Sequence, residues 1–362
     1  MEPKKTPLYD RHVAAGARMV DFAGYLMPVQ YKGIIEEHRA VRESVGLFDV
    51  SHMGEFTVRG EGALDFLQKI TINDVSKLQV NQAQYTAMCY EDGGIVDDLI
   101  VYRQSDHYLM IVNAGNLEKD WAWAQKYAGD GVELQNESDA TALMALQGRN
   151  AEAVLQSLTQ TELGAVKFYW FANGQVSGVP AMIARTGYTG EAGFEIAVAA
   201  NEAPKVWDAV LEAGEKFGIQ PIGLGARDTL RMEMKYCLYG NDIDQTTNPI
   251  EAGLGWITKL DKGDFLGSAA ISRAKESGLE RKLVGMTIEG RNIGRHGYPI
   301  LHEGEQVGEI TSGTFSLSLE KSIAIGYVRT DLAKVGAELD VQIRKRTARA
   351  TVIKTPFYQR PY

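Results

Sequence analysis

Apolar and polar positions alternate in two stretches of the first half of the chain, and the same order of elements follows each stretch. Residues 54–70 predict a strand, a glycine turn and an amphipathic helix over 63–68, and residues 142–158 repeat that order with a helix over 151–156. Each stretch leads into a hairpin and a second helix, over 116–127 and over 201–217 respectively. The pattern predicts two related βαββα units.

Two such units build α+β layers with largely antiparallel sheets, and the seam between related halves is a natural place for a ligand. Beyond Leu283 the pattern changes to short alternating strands separated by glycine-rich turns. These strands are expected over 283–288, 298–301, 306–311, 323–328, 338–343 and 348–353. They predict a small C-terminal β-barrel.

Two neighbouring acids, Asp97 and Asp98, lie within an apolar run over 95–102 that follows a Gly-Gly turn. In a strand they point to opposite faces, and both faces are apolar here. A carboxylate among apolar neighbours is costly unless it is paired or hydrogen-bonded. Either one acid caps the turn while the other pairs with an arginine, or at least one lines a polar cavity and acts on a ligand.

A second charged group falls on the apolar stripe of a predicted helix over 223–238. At about 100° per residue, Arg227 lies near the middle of the stripe and Arg231 lies closer to its edge. Arg227 is therefore either the partner of a buried acid or a clamp for a ligand carboxylate or phosphate, whereas Arg231 is expected to be structural.

A glycine-rich turn over 187–193 leads into a strand that carries Glu195. The turn lacks the lysine and hydroxyl ending of a phosphate-binding loop. Apolar residues share one face of the strand, and Glu195 lies on the other face beside Gly193 and Ala197. These small neighbours leave room for a ligand against Glu195, although an ordinary solvated strand face would give the same pattern.

Composition narrows the possible functions. The length of 362 residues suggests two or three domains, and the formal charge of −9 disfavours partners such as nucleic acid or an anionic membrane. The two cysteines, Cys89 and Cys237, and the six scattered histidines lack metal-ligand spacing, so no metal site is expected. Since no apolar stretch has the length of a signal peptide core or a membrane span, we expect a cytoplasmic protein.

One basic cluster stands out near the C-terminus, where cations alternate with apolar residues. Its members are Arg344, Lys345, Arg346, Arg349 and Lys354. The simplest interpretation is that these side chains form the solvent-exposed face of a hairpin. Docking of an acidic protein partner is the alternative.

Several motifs recur in a fixed order from Thr6 to the C-terminus. They are Thr6-Pro7-Leu8-Tyr9, Met19-Val20-Asp21-Phe22-Ala23-Gly24-Tyr25, Phe48-Asp49-Val50-Ser51-His52-Met53-Gly54, the run over 93–102, Gly187-Tyr188-Thr189-Gly190-Glu191, Gly223-Leu224-Gly225-Ala226-Arg227-Asp228, Leu238-Tyr239-Gly240 and Ile310-Thr311-Ser312-Gly313-Thr314-Phe315-Ser316. Together they resemble the T proteins of the glycine cleavage system, a family of aminomethyltransferases. Related tetrahydrofolate-binding domains in sarcosine and dimethylglycine dehydrogenases share several of these motifs but carry a flavin domain, for which this chain has no room.

The resemblance implies a three-domain cloverleaf with tetrahydrofolate in a central channel. The expected domains are residues 1–50 with 138–280, residues 51–137, and the barrel over 281–362. The implied reaction transfers the one-carbon unit of the aminomethyl-lipoyl arm of the H protein to tetrahydrofolate. Its products would be 5,10-methylenetetrahydrofolate, ammonia and the dihydrolipoyl H protein.

The resemblance also implies roles for particular residues. By motif position Asp98 is similar to the catalytic acid beside the pterin nitrogens, Glu195 resembles the pterin-binding glutamate, and Arg227 resembles another ligand-binding position. The other pocket residues carried over from the family are Met53, Tyr85, Asn113, Tyr188 and Tyr362. The three charged residues that are out of place in their local patterns are thus the ones to which the family assigns roles.

Two other functions fit parts of the pattern. A non-catalytic folate-binding or iron–sulfur-assembly relative would keep a ligand position such as Arg227, but it would not need the Asp97-Asp98 pair, whose presence favours the enzyme. A folate-dependent demethylase acting on a small sulfur or amine compound would keep the fold and change the donor.

Overall fold

The computed structural model describes residues 2–362, and the chain divides into two compact units. The first unit consists of Met1–Gln68, Val75–Tyr85 and Leu99–Arg227, and the second of Lys69–Asp74, Thr86–Asp98 and Asp228–Tyr362. The expected three domains and their cloverleaf arrangement stay predictions.

Strands and helices alternate along the chain before the barrel. The strands are β1 (Lys4–Lys5), β2 (Arg18–Phe22), β3 (Tyr25–Gln30), β4 (Gly46–Asp49), β5 (Gly54–Arg59), β6 (Gln82–Cys89), β7 (Ile95–Arg103), β8 (Tyr108–Val112), β9 (Glu133–Asn136), β10 (Thr141–Gln147), β11 (Phe171–Val176), β12 (Val179–Ala184), β13 (Gly193–Ala199) and β14 (Gln220–Ile222). The helices are α1 (Tyr9–Ala14), α2 (Ile34–Glu43), α3 (Ala63–Ile70), α4 (Leu117–Tyr127), α5 (Ala151–Gln156), α6 (Ala203–Gly214), α7 (Leu224–Glu233) and α8 (Ser268–Ser277).

These strands form three sheets, with the orders β1-β3-β2, β6-β7-β8-β5-β9 and β11-β12-β13-β10-β4-β14. Neighbours in the six-stranded sheet are antiparallel except for β4 with β14. In the five-stranded sheet β8 is antiparallel to both β5 and β7, and β9 is antiparallel to β5. The predicted α+β class with largely antiparallel sheets is therefore confirmed.

The predicted duplication is present and is longer than the sequence pattern indicates. The order β5-α3-β6-β7-β8-α4-β9 is repeated as β10-α5-β11-β12-β13-α6-β14, and the two sheets place equivalent strands in the same order. The one topological difference is β4, which lies between β10 and β14 in the second sheet. The sequence pattern missed β11 because that edge strand contains an Asn173-Gly174 pair, which is typical of a turn.

The C-terminal strands close into the expected barrel, in the order β15-β18-β17-β16-β19-β20. They are β15 (Arg281–Ile288), β16 (Pro299–His302), β17 (Glu305–Ser316), β18 (Lys321–Arg329), β19 (Glu338–Ile343) and β20 (Arg346–Ile353). Strand β17 runs beyond the predicted end at residue 311 because a register shift between Ile310 and Ser312 breaks the alternation while the pairing with β18 continues.

The six-stranded sheet and the barrel each have an apolar core. One face of the six-stranded sheet packs against α5 and α6 through side chains such as Phe194, Ile196 and Trp207. The barrel interior is filled by residues such as Met286 and Ile300. Burial of each large apolar side chain contributes about 1.5–3 kcal/mol. On the opposite face of the six-stranded sheet, Glu195 lies among small or apolar neighbours such as Ala145 and Ala184.

Two helices are shorter than predicted. Helix α6 is flanked by 3-10 turns over 200–202 and 215–217, so only the middle of the predicted helix is α-helical. Helix α7 ends at Glu233 rather than at residue 238, because Lys235 has a φ of 56° and the Arg231 guanidinium donates to the Tyr236 carbonyl, at 3.1 Å.

Cys89 and Cys237 are buried and do not form a disulfide. Among residues 2–362, no helix has the length and apolar character needed to cross a bilayer.

Candidate active site

Glu195 lies on β13 with its side chain on the face opposite the apolar core, and it is partly exposed. The Thr186 hydroxyl donates to Glu195 Oε2 at 2.5 Å, and the Tyr102 hydroxyl lies 3.5 Å from the same oxygen. Burial raises the pKa of Glu195, whereas the Thr186 hydrogen bond and the positive charge of Arg227 act in the opposite direction. Both hydrogen bonds hold Oε2, so Oε1 is the oxygen that remains available for a ligand.

The contact between Tyr102 and Glu195 joins the two duplicated halves. Tyr102 lies on β7 in the five-stranded sheet, and Glu195 lies on β13 in the six-stranded sheet. The edges β6 and β11 meet through a bridge between Gln82 and Trp170, and the rings of Tyr102 and Phe171 lie 5.7 Å apart. The seam between the related halves therefore carries hydrogen-bonded polar side chains, and the ligand site expected there stays a prediction.

The glycine-rich loop between β12 and β13 is held rigidly by buried side chains from other elements. The Gln147 amide donates to the Thr186 carbonyl at 3.1 Å and accepts from the Thr189 hydroxyl at 2.8 Å. A Cβ at Gly187 or Gly193 would collide with the Gln147 amide. The two glycines are thus required by close packing, and the loop is a fixed support for Thr186 rather than a phosphate cradle.

A buried ion pair holds the other end of this loop. Arg42 on α2 donates to the Thr189 carbonyl at 2.7 Å and to Glu191 Oε1 at 2.9 Å. Both side chains are nearly inaccessible to solvent. The acid of the Gly-Glu motif at 190–191 therefore supports the loop.

Arg227 lies in the first turns of α7, where the backbone places it beside the loop. Its guanidinium carbon lies 4.6 Å from the centre of the Tyr188 ring. His52 is buried nearby, with its ring edge-to-face against Phe22 at 5.7 Å. Burial and the charge of Arg227 lower the pKa of His52 to about 4, so this imidazole is neutral at physiological pH. Arg227, Tyr188 and Glu195 are thus brought together in the first unit.

Asp97 and Asp98 lie on β7, as predicted, and both are buried. The amide of Gly94 in the preceding turn is bonded by Asp92 at 3.0 Å, so the acid that caps the turn is Asp92. By strand alternation Asp98 shares a face with Ile100 and Tyr102. The assignment of Asp98 as the catalytic acid stays a prediction.

The remaining residues that the family resemblance placed in the pocket are spread over several elements. Met53 precedes β5 next to His52 and is partly buried, Tyr85 lies on β6, and Asn113 follows β8. Tyr362, at the C-terminus, is 49% exposed, and the Arg360 guanidinium lies over its ring at 5.1 Å. Ligand binding by these four residues stays a prediction.

Sequence patterns missed two residues that hold the site together, Thr186 and Tyr102. Thr186 precedes the first loop glycine, and Tyr102 closes an apolar run, so each looks ordinary in its own segment. The internal duplication was the one sequence signal that could have indicated that Tyr102 and Thr186 are close. It makes the segments around these two residues equivalent hairpins of the two halves.

Family models match nearly the whole chain. The GCVT N-terminal domain matches residues 8–262, and the glycine cleavage T-protein C-terminal barrel domain matches residues 281–359. The chain therefore belongs to the glycine cleavage T-protein family, and it is an aminomethyltransferase.

Curated relatives and a solved structure are similar over their full lengths. An aminomethyltransferase of Halothermothrix orenii is 52% identical over 355 residues, with 98% of this chain and 99% of that one covered. One of Chloroherpeton thalassium is 54% identical over 357 residues, with 98% of each covered. The crystal structure of glycine cleavage system aminomethyltransferase T from Bartonella henselae matches with a TM-score of 0.93 at 34% identity, over 99% of each chain. The resemblance found in the sequence motifs is confirmed.

Proposed function

We propose that this aminomethyltransferase takes its one-carbon unit from the aminomethyl-lipoyl arm of an H protein and transfers it to tetrahydrofolate. The observation that supports this most directly is the arrangement at the seam, where Thr186 holds one oxygen of Glu195 and leaves the other available beside Arg227 and Tyr188. A reduced pteridine carries adjacent N–H and amino donors that suit a carboxylate, and a flat ring that suits an aromatic neighbour. The cytoplasmic location expected from the sequence stays a prediction.

In the proposed reaction the aminomethyl carbon loses its bonds to sulfur and to the amino nitrogen and gains bonds to two folate nitrogens. The two protons released by those nitrogens go to the lipoyl thiol and to ammonia. Asp98 would steer a proton as a ring nitrogen attacks, which contributes about 10²–10⁴-fold. Holding the two substrates in attack geometry can supply about 7–11 kcal/mol, so alignment is the larger contribution.

An assay with alternative donors tests the proposed function. Purified protein is mixed with tetrahydrofolate and either aminomethyl-loaded H protein, sarcosine or a methylated sulfonium compound, and methylenetetrahydrofolate and ammonia are measured. We expect product with the H protein alone. Turnover of sarcosine or the sulfonium without turnover of the H protein would instead identify a demethylase, and folate binding without any turnover would identify a non-catalytic relative.

We further propose that the H protein docks on a basic groove at the β19–β20 hairpin. The groove has a volume of about 860 Å³ and is lined by Arg295, Arg344, Lys345 and Arg346. Arg349, which the sequence placed in the same cluster, pairs instead with Glu338 at 3.0 Å and with Asp340 at 3.4 Å. An acidic carrier surface would complement the groove cations on a chain that otherwise carries net negative charge.

Reversing charge in the groove tests this docking surface. Lys345→Glu and Arg346→Glu are each expected to raise the KM for H protein about 3- to 10-fold at low salt, with the difference fading as salt screens the attraction. Arg329→Glu is the matched control, since Arg329 is an exposed barrel cation that already pairs with Asp331 at 2.7 Å. Equal changes in H protein KM and in folate affinity, or an equal effect of the control, would contradict the proposal.

A further inference from the structure

We propose that Thr186 is a positioning residue for the transfer reaction: its hydroxyl turns Oε2 of Glu195 into the protein and leaves Oε1 to receive the donors of the pterin ring. This inference rests on the proposed function, because it takes the ligand of Glu195 to be tetrahydrofolate. Thr186 is 3% exposed and its hydroxyl oxygen lies 2.5 Å from Oε2. It does not touch the reacting atoms in this proposal; it acts through Glu195.

Thr186 is suited to this role because its own position is fixed from outside the site. The Gln147 side chain bonds the Thr186 carbonyl, and Gln147 is itself 1% exposed. Gly187 packs directly against the Gln147 amide, with no space for a side chain. The Thr186 hydroxyl is therefore presented to Glu195 from a backbone that has little freedom to move.

The Tyr102 hydroxyl supplements Thr186 but cannot replace it. It lies 3.5 Å from both the Thr186 hydroxyl and Glu195 Oε2, which is the outer limit of a hydrogen bond. The short Thr186 bond is thus the main restraint on rotation of the carboxylate. Hydrogen bonds to a charged group are among the stronger ones, since their loss leaves the charge poorly solvated.

The same hydrogen bond affects the protonation of Glu195. Burial raises the pKa of this carboxyl, and the Thr186 hydrogen bond lowers it. Removing the hydroxyl therefore raises the pKa further, so the ionised form is lost at a higher pH as the solution is acidified. A residue that served only the stability of the loop would not move this titration.

Equilibrium binding of tetrahydrofolate across a pH series is the experiment that tests the inference. Thr186→Val, which keeps the shape and removes the hydroxyl, is expected to weaken binding about 10- to 100-fold at neutral pH. The pH below which affinity falls should move upward in this variant. Thr186→Ser should restore most of the affinity and the wild-type pH profile, and Tyr102→Phe should have a smaller effect than Thr186→Val.

A double substitution separates positioning from loop stability. In a Glu195→Gln background, where no carboxylate titrates, Thr186→Val should weaken binding much less than it does in the wild-type protein. An equal loss in both backgrounds, or wild-type affinity and pH profile in Thr186→Val, would overturn the positioning role. Failure of the wild-type protein to bind tetrahydrofolate would instead overturn the proposed function, so the two failures are distinguishable.

Discussion

Replacing Asp98 with asparagine is expected to lower turnover about 10²–10⁴-fold while tetrahydrofolate still binds. The amide keeps the size and polarity of the side chain but cannot accept and return a proton. Asp98 is buried on β7, in the run where the family resemblance places the catalytic acid. The measurement is single-turnover formation of methylenetetrahydrofolate from aminomethyl-loaded H protein, together with the dissociation constant for tetrahydrofolate.

The neighbouring acid provides the matched control. Asp97 is also buried, but it points to the opposite face of the same strand. Asp97→Asn should therefore affect folding stability more than the transfer rate of the folded protein. A rate near the wild-type value for Asp98→Asn, or an equal loss of rate in both variants, would show that Asp98 is not the catalytic acid.

Replacing Arg231 with methionine is expected to lower the free energy of unfolding by about 3–5 kcal/mol. Arg231 Nη1 lies 2.6 Å from Asp242 Oδ2, and both side chains are almost completely buried. The Arg231 guanidinium also donates to the Ser312 hydroxyl at 3.0 Å. The substitution leaves a buried carboxylate without its cation, and that uncompensated charge accounts for the large cost. Urea unfolding of the purified variant measures it.

An exposed pair sets the scale for comparison. Arg329 and Asp331 form a short ion pair at the surface of the barrel, with about half of each side chain exposed. Arg329→Met should cost at most about 1 kcal/mol, because solvent already screens that pair. Similar losses for the two variants would mean that burial of the Arg231–Asp242 pair has no energetic consequence.

Alternation predicted the barrel strands and most strands of the duplicated hairpins but not β6 or β11, and it placed Glu195 correctly on the face of β13 away from the core. Arg231, at the edge of an apolar helical stripe, is structural, as its position indicated. The contact that organises the site could not be predicted in this way. Thr186 and Tyr102 are 84 residues apart in the sequence. They come close because the edges of two sheets meet, and local alternation of apolar and polar residues does not indicate which edges meet.

Strand register limits the prediction of charge pairing in the same way. Arg349 lies next to three other cations in the sequence, but the β19–β20 register places it directly opposite Asp340. Arg295 is distant in the sequence and yet lines the same groove as Arg344. The composition of a basic surface therefore follows from which strand positions face each other, and a run of cations in the sequence identifies it incompletely.

The Gln147 amide fills the space beside Gly187 and Gly193. The Gln147 amide thus fills the gap between two backbone segments. It also holds Thr186, the residue that orients Glu195. In a redesign of this enzyme for a bulkier acceptor, Gly187 and Gly193 would therefore have to stay glycine. Even one added methyl group there would dislodge the amide and, with it, the orientation of the carboxylate.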